Sequence, residues 1–334
     1  MTQIDVTRMG VANSGVAHTA TGPVAAARLG VVAVREYVIR ARPGWEHDPW
    51  LRFDRPAAFD AIVSALCAFR SLGGGTIVEA GGTLWGRDPD MLEKLAAASG
   101  VHIIASTGLA GDDGTPAHFQ QSRNDARDLA DLMADELSTG MAARGMRRSS
   151  VRAGAVISAC GPDGIPDIGE RALRAAALAA RRSGAPVFTA GAVQARRQLE
   201  LLGSEGLPVE RAVIGHCDDG QAVDPRRDME IAEAGACVAY DHAGWEDGSA
   251  PHALSDERRA QLVKGMVDAG FADRVVLSCS AIGCAPGEAA SRHAVSHLLG
   301  SFVPRLSKAG IGDSTLHTML VENPRRLFAA EPRR

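Results

Sequence analysis

Eight short apolar, β-rich runs alternate with longer amphipathic runs along this chain, and that alternation constrains its fold more than any other feature. The strand candidates are Val31–Tyr37, Thr76–Glu79, His102–Thr107, Ala153–Ser158, Pro186–Ala190, Ala212–His216, Cys237–Asp241 and Arg274–Ser278. Helix-like stretches lie between them at Pro56–Leu72, Pro89–Ser99, Ser122–Thr139, Gly169–Ser183, Arg227–Ala234 and Asp256–Ala269. Helix-ending glycines, among them Gly100, Gly184, Gly235 and Gly270, fall just before strands, where a helix C-cap favours left-handed backbone. Strands alternating with helices imply parallel βα units. Eight such units close most simply into an α/β fold, the (β/α)8 TIM barrel, here with an extra C-terminal helix from Asp313 to about Phe328. An open doubly wound sheet is the alternative, but no Gly-x-Gly-x-x-Gly follows the first strand. No linker or repeat divides the chain. The expected organisation is an N-terminal extension over residues 1–21 and a single barrel over residues 22–330.

Composition narrows the function classes. The 334 residues could make two average domains, yet barrels of this length fold as one unit. A net charge of −4 argues against a nucleic-acid or acidic-membrane partner. No apolar run approaches the ~18 residues of a membrane span. The opening MTQIDVTRMG lacks a charged-then-apolar leader, so a cytoplasmic location is expected. Six cysteines without close pairing read as a reduced set.

In a barrel, chemistry belongs to the C-terminal strand ends and the loops after them. Those ends carry Arg35-Glu36-Tyr37, Glu79, Ser158-Ala159-Cys160, Thr189-Ala190-Gly191, His216-Cys217-Asp218-Asp219, Tyr240-Asp241-His242 and Ser278-Cys279-Ser280. Both tyrosines, Tyr37 and Tyr240, fall there. All four tryptophans, Trp45, Trp50, Trp85 and Trp245, fall in the loops that follow. Trp combines a large apolar face with one donor, which suits the wall of a ligand pocket.

Several blocks carry a family resemblance: GGGTIVEAGG (73–82), GRDPDMLEKLAAASGVHIIASTG (86–108), RAGAVIS (152–158), GERALRAAALAARRSGAPV (169–187), IGHCDD (214–219), YDHAG (240–244), SFVPRLSKAG (301–310) and LHTMLVENPRRLF (316–328). In order and spacing, from about Gly22 to Phe328, the chain resembles the phosphotriesterase family of the amidohydrolase superfamily. That resemblance implies a barrel, often a homodimer, with a binuclear metal centre. Its ligands would be a His-x-His pair on the first strand, a bridging carboxylated Lys on the fourth, single His residues on the fifth and sixth, and an Asp on the eighth. Here those positions fall on Arg35 and Tyr37, Ser158, Ala190, His216 and Ser280. Arg cannot bind a cation and Ala offers no donor, so neither a metal nor any other cofactor is expected.

Three readings remain open. In the first, Arg35 replaces the metal charge and clamps a carboxylate or phosphate. Tyr37 and His216 then act as acid and base, and Ser158, Cys160, Tyr240, Asp241 and Ser280 line the pocket with the tryptophans. The substrate would be a small, anionic, partly apolar molecule undergoing isomerisation, elimination, cyclisation or hydrolysis. In the second, the barrel only binds a ligand, and Arg35 pairs internally with Glu36, Glu79 or Asp241. In the third, His216 and thiols such as Cys160 hold a relocated mononuclear zinc. Strand alternation turns Cys217 and Cys279 away from the barrel axis.

Overall fold

The computed structural model describes residues 15–109, 125–143, 147–161, 163–246, 253–286 and 293–329. Eight parallel strands form a closed ring: β1 (Val31–Ile39), β2 (Gly74–Glu79), β3 (His102–Ile104, continued as Ser106–Thr107), β4 (Ala155–Ala159), β5 (Val187–Ala190), β6 (Ala212–Ile214), β7 (Cys237–Tyr240) and β8 (Val275–Leu277, continued as Ile282–Cys284). Two interrupted strands join its arcs. The first half of β3 pairs with β2 and the second with β4. The first half of β8 pairs with β7 and the second with β1. The return of β8 to β1 makes this a TIM barrel rather than an open sheet.

Local chemistry sets the helix starts. Asp54, Asp88 and Asp125 accept backbone N–H groups at the heads of α1 (Arg55–Ser71), α2 (Pro89–Ser99) and α3 (Ala126–Ser138). Proline in the first turn of α1 and α2 removes a donor that has no helical partner anyway. The expected start of α3 at Ser122 lies outside the described residues. α4 (Asp167–Ser183), α6 (Pro225–Glu233) and α7 (Asp256–Asp268) lie where amphipathicity places them. α5 (Ala195–Ser204) carries only a weak sequence signal, because ARRQLELLGS is short and its buried face includes the polar Gln198.

Two further elements add detail to this plan. Val16–Thr19 pairs antiparallel with Gly22–Ala25, and the Ala20 N–H donates to the Ile103 carbonyl at 2.7 Å. A boundary at residue 21 therefore cuts a hairpin that belongs to the barrel. The C-terminal helix is compound. α8 (Val303–Lys308) follows a wide turn at Leu298–Phe302; after α9 (Asp313–His317), a second wide turn at Thr318–Glu322 leads into α10 (Asn323–Phe328). Each wide turn ends just before a proline, Pro304 or Pro324, whose missing N–H breaks the regular hydrogen-bond ladder.

Apolar side chains form two layers. One lies between strands and helices. The other fills the barrel interior with Val32, Val34, Val78, Ile104, Ile157, Phe188, Val213 and Val276, and is closed below by Leu327 and Phe328. Phe328 stacks on Phe188 with centroids 6.1 Å apart. Burying one such ring contributes about 1.5–3 kcal/mol. With the floor plugged, the space for chemistry lies at the opposite end. Among the described residues no helix is long and apolar enough to cross a membrane.

Candidate functional site

A register shift in β1 builds the floor of the site. Val32 and Val34 face the barrel interior, and the β1–β2 pairing slips between Ala33 and Glu36. The slip turns Arg35 and Tyr37 inward and Glu36 outward. Glu36 then ties β1 to β8: it accepts the Ser278 hydroxyl at 2.7 Å and the Cys279 and Ala281 N–H groups at 3.0 and 2.7 Å. Burial pushes the Glu36 carboxyl up to about 7, against the pull of those donors.

Arg35 is 2% exposed. Its Nη2 donates to the Thr189 carbonyl at 2.6 Å, and its Nε lies 2.8 Å from Asp241 Oδ2. Burial opposes the guanidinium charge, but Asp241 and Tyr37 hold its pKa above the usual value. Gly215 makes room: a Cβ there would lie 2.5 Å from the Thr189 carbonyl oxygen and 2.8 Å from Arg35 Nη2.

The next residue, His216, has a φ of +61°, a rarely populated conformation for a side chain of this size. Its N–H donates to Asp241 Oδ1 at 2.9 Å, which helps hold that strain. Its Nε2 is sealed from solvent without a hydrogen-bond partner. Burial, then the charges of His242 and Arg35, hold its pKa well below 6.5, so the ring is neutral. The His242 ring stacks at a tilt 4.4 Å away. His242 Nδ1 lies 3.3 Å from Asp218 Oδ1, and Arg259 Nε donates to Asp218 Oδ2 at 2.6 Å. Burial would lower the His242 pKa, but the Asp218 carboxylate outweighs it and raises it. Burial would likewise raise Asp218, but Arg259 and His242 hold it well below the carboxylate range. Two adjacent imidazoles are thus driven in opposite directions, one toward a base and one toward an acid.

Two adjoining cavities open above this floor. One, about 270 Å³, is lined by Arg35, Tyr37, Arg40, Trp85, Ile157, Cys160, Ala190, Val193 and His216, among others. The other, about 210 Å³, shares Tyr37, Arg40, His216 and Asp219 with it and adds Asp218, His242, Trp245, Arg259 and Ser280. Ser280, with φ +45°, presents a buried hydroxyl that has no partner.

The structure gathers Arg35, Tyr37, Trp85, Cys160, His216, Trp245 and Ser280 around the cavities, with Asp241 beneath them. It does not bring the other expected residues there. Ser158 shares the outward face of β4 with Val156, while Ile157 looks into the cavity. The inward position near a bridging Lys is therefore Ile157. Tyr240 also faces outward, its hydroxyl donating to Asp228 Oδ2 of α6 at 2.9 Å. Trp45 packs edge-on against Phe53 at 5.2 Å, and Trp50 is 90% exposed. Neither lines these two cavities, because a place after a strand does not fix which way a loop side chain turns. Trp245 anchors its loop by donating Nε1 to the Cys279 carbonyl at 2.7 Å. Cys160 Sγ is engaged by Gln198 Nε2 at 2.9 Å, and burial holds the Cys217 and Cys279 thiols protonated. Sequence reasoning names neither Arg40 nor Arg259, and gives Asp218 only a place in a strand-end run. Asp218 lies in the IGHCDD block, which was the available signal. Arg40 follows the strand by one residue and had none.

A binuclear metal centre does not fit these residues. Where two imidazoles would stand, there is a phenol and a guanidinium already paired with Asp241. Ile157 and Ala190 offer no donor, and Ser158 turns away. The ligand atoms of His216, Asp241 and His242 lie within 4.8 Å of one another. However, a cation there would share Asp241 with Arg35 and compete with the His242–Asp218 contact.

Comparisons with known proteins agree with this architecture. The sequence profile of the phosphotriesterase family matches residues 15–328. A phosphotriesterase homology protein of Mycobacterium tuberculosis (strain ATCC 25618 / H37Rv) is 31% identical over 326 residues, covering 93% of this chain and 97% of the relative. The N-acetyltaurine hydrolase of Homo sapiens is 26% identical over 278 residues, covering 80% of this chain and 76% of the relative. The solved organophosphorus hydrolase from Deinococcus radiodurans superposes with a TM-score of 0.85 at 30% identity, covering 95% of this chain and 97% of that one.

Proposed function

This chain belongs to the phosphotriesterase family, and from that premise we propose that its barrel performs metal-independent acid/base hydrolysis of a small, anionic, partly apolar substrate. The observation that carries the proposal is His216: a neutral imidazole on the sixth strand end that lines both cavities. Hydrolysis is favoured over isomerisation, elimination or cyclisation because the named relatives are hydrolases. In the proposed step, the His216 imidazole takes a proton from water as the water oxygen bonds to the substrate carbonyl carbon. Tyr37 donates a hydrogen bond to the oxygen that becomes negative. The tetrahedral centre then collapses, its bond to the leaving oxygen or nitrogen breaks, and His242 gives its proton to that atom; the proton held by the adjacent His216 then passes to His242 and resets the pair. Arg35 supplies fixed positive charge in the floor.

Two observations favour other readings. The Arg35–Asp241 pair fills the floor from within, as a ligand-binding barrel without catalysis would allow. The His216–Asp241–His242 cluster favours a mononuclear zinc. One experiment separates the three. Protein treated with EDTA is assayed on carboxylate-bearing aryl esters, lactones and N-acyl amino acids beside its His216→Asn and Tyr37→Phe variants. The expected result is turnover that survives EDTA and falls about 100- to 10,000-fold in His216→Asn, with a smaller loss in Tyr37→Phe. Undiminished turnover in His216→Asn refutes the acid/base proposal. Activity lost to EDTA and restored by zinc supports the metal reading, and no turnover on any substrate supports the binding reading.

A further inference from the structure

Arg35 was the natural candidate to hold the substrate anion, but its charge is already matched. It pairs with Asp241, just as Arg259 pairs with Asp218 and Asp256. The third arginine of the cavities, Arg40, has no carboxylate partner among the described residues. It is half-buried, it lines both cavities, and its guanidinium carbon lies 5.7 Å from the centroid of the Tyr37 ring. A cation–π contact with that ring helps hold the guanidinium without using its N–H donors. Asp219, the acidic residue common to both cavities, already accepts the Gln221 N–H at 2.9 Å.

We propose that Arg40, not Arg35, anchors the anionic end of the substrate, and that this end is a carboxylate held by the paired N–H groups of the guanidinium. A planar carboxylate matches the guanidinium edge in a bidentate pair. The apolar body of the acid then lies along Trp85, Ile157, Ala190 and Val193. In that pose the reacting bond falls beside His216, which shares both cavities with Arg40. The inference rests on the anionic-substrate reading above and assigns the recognition to one residue.

Calorimetric titration with phenylacetate and its neutral isostere phenylacetamide tests it. Wild type should bind the acid at least about 10-fold more tightly than the amide, the scale of a charged hydrogen bond. Arg40→Met should erase that preference, and Arg40→Lys should restore part of it. The double variant Arg35→Met/Asp241→Asn, which removes both charges of the buried pair, should keep it. Near-ultraviolet circular dichroism verifies that each variant is folded, and Arg40→Gln repeats the Arg40 arm should the methionine variant misfold. Equal binding of acid and amide by wild type overturns the inference. So does a preference that survives in Arg40→Met but vanishes in the Arg35/Asp241 double variant. His216→Asn should keep the preference while losing turnover, so a failure of the acid/base mechanism is read separately from a failure of this one.

Discussion

The buried Arg35–Asp241 pair supports a quantitative prediction. Arg35 and Asp241 are 2% and 0% exposed, and their charged atoms lie 2.8 Å apart. Removing one member of such a pair strands the other charge and costs about 3–5 kcal/mol, whereas removing both charges costs far less. Asp241→Asn keeps an acceptor for the His216 N–H, so the loss it measures is chiefly the charge. For 334 residues at about 2.1 cal/mol/K each, the unfolding entropy is about 0.7 kcal/mol/K. Each single variant, Arg35→Met or Asp241→Asn, should therefore lower the melting temperature by about 4–7 °C at pH 7. The double variant should melt closer to wild type than either single does. The assay is a double-mutant cycle by calorimetry or urea unfolding. Strictly additive losses would show that the two charges do not depend on each other. The guanidinium would then be free for a ligand, and Asp241 would not be its counter-charge.

Other outcomes follow from the same geometry. Elemental analysis of protein purified without chelator should find less than one tightly bound divalent ion per chain, and two would overturn the assignment of the former ligand positions. The pH profile of kcat/KM should keep its acid limb well below 6.5, where His216 finally protonates, and its alkaline limb above 6.5, where His242 loses its proton. Asp218→Asn should pull the alkaline limb down, and an unmoved limb removes His242 from the proton transfer. Glu79, buried with one oxygen unpartnered, has its pKa raised by burial from 4.5 to about 8. Over that window the folded state keeps a proton that the unfolded chain has released, so stability falls as pH rises through it. Glu79→Gln should flatten that fall by up to about 1.4 kcal/mol per pH unit, and urea midpoints at pH 5 and pH 8 read the difference.

The sequence by itself determined the barrel. Apolar periodicity, helix-capping aspartates and pre-strand glycines are local signals, and eight βα units have few ways to close. It also placed His216, because the IGHCDD block fixes the sixth strand end without a structure. The inward face of β4 lies one residue before the expected Ser158, at Ile157. Alternation tells which residues share a face but not which face looks inward, and Ser158 and Ile157 differ only in that. In β1 the register shift reverses the face partway along the strand, and nothing in VVAVREY announces it. Pairing across the barrel lay further out of reach. Arg35 is separated from Asp241 by some two hundred residues, and three acids were equally eligible partners until β7 came to lie beside β6. The opposed tuning of His216 and His242 arises from burial and from Asp218 and Arg259, which reach it from different elements. Charge and dielectric act through space, so only the closed barrel could decide which imidazole has its pKa lowered, which has it raised, and which cavity arginine lacks a carboxylate partner among the described residues.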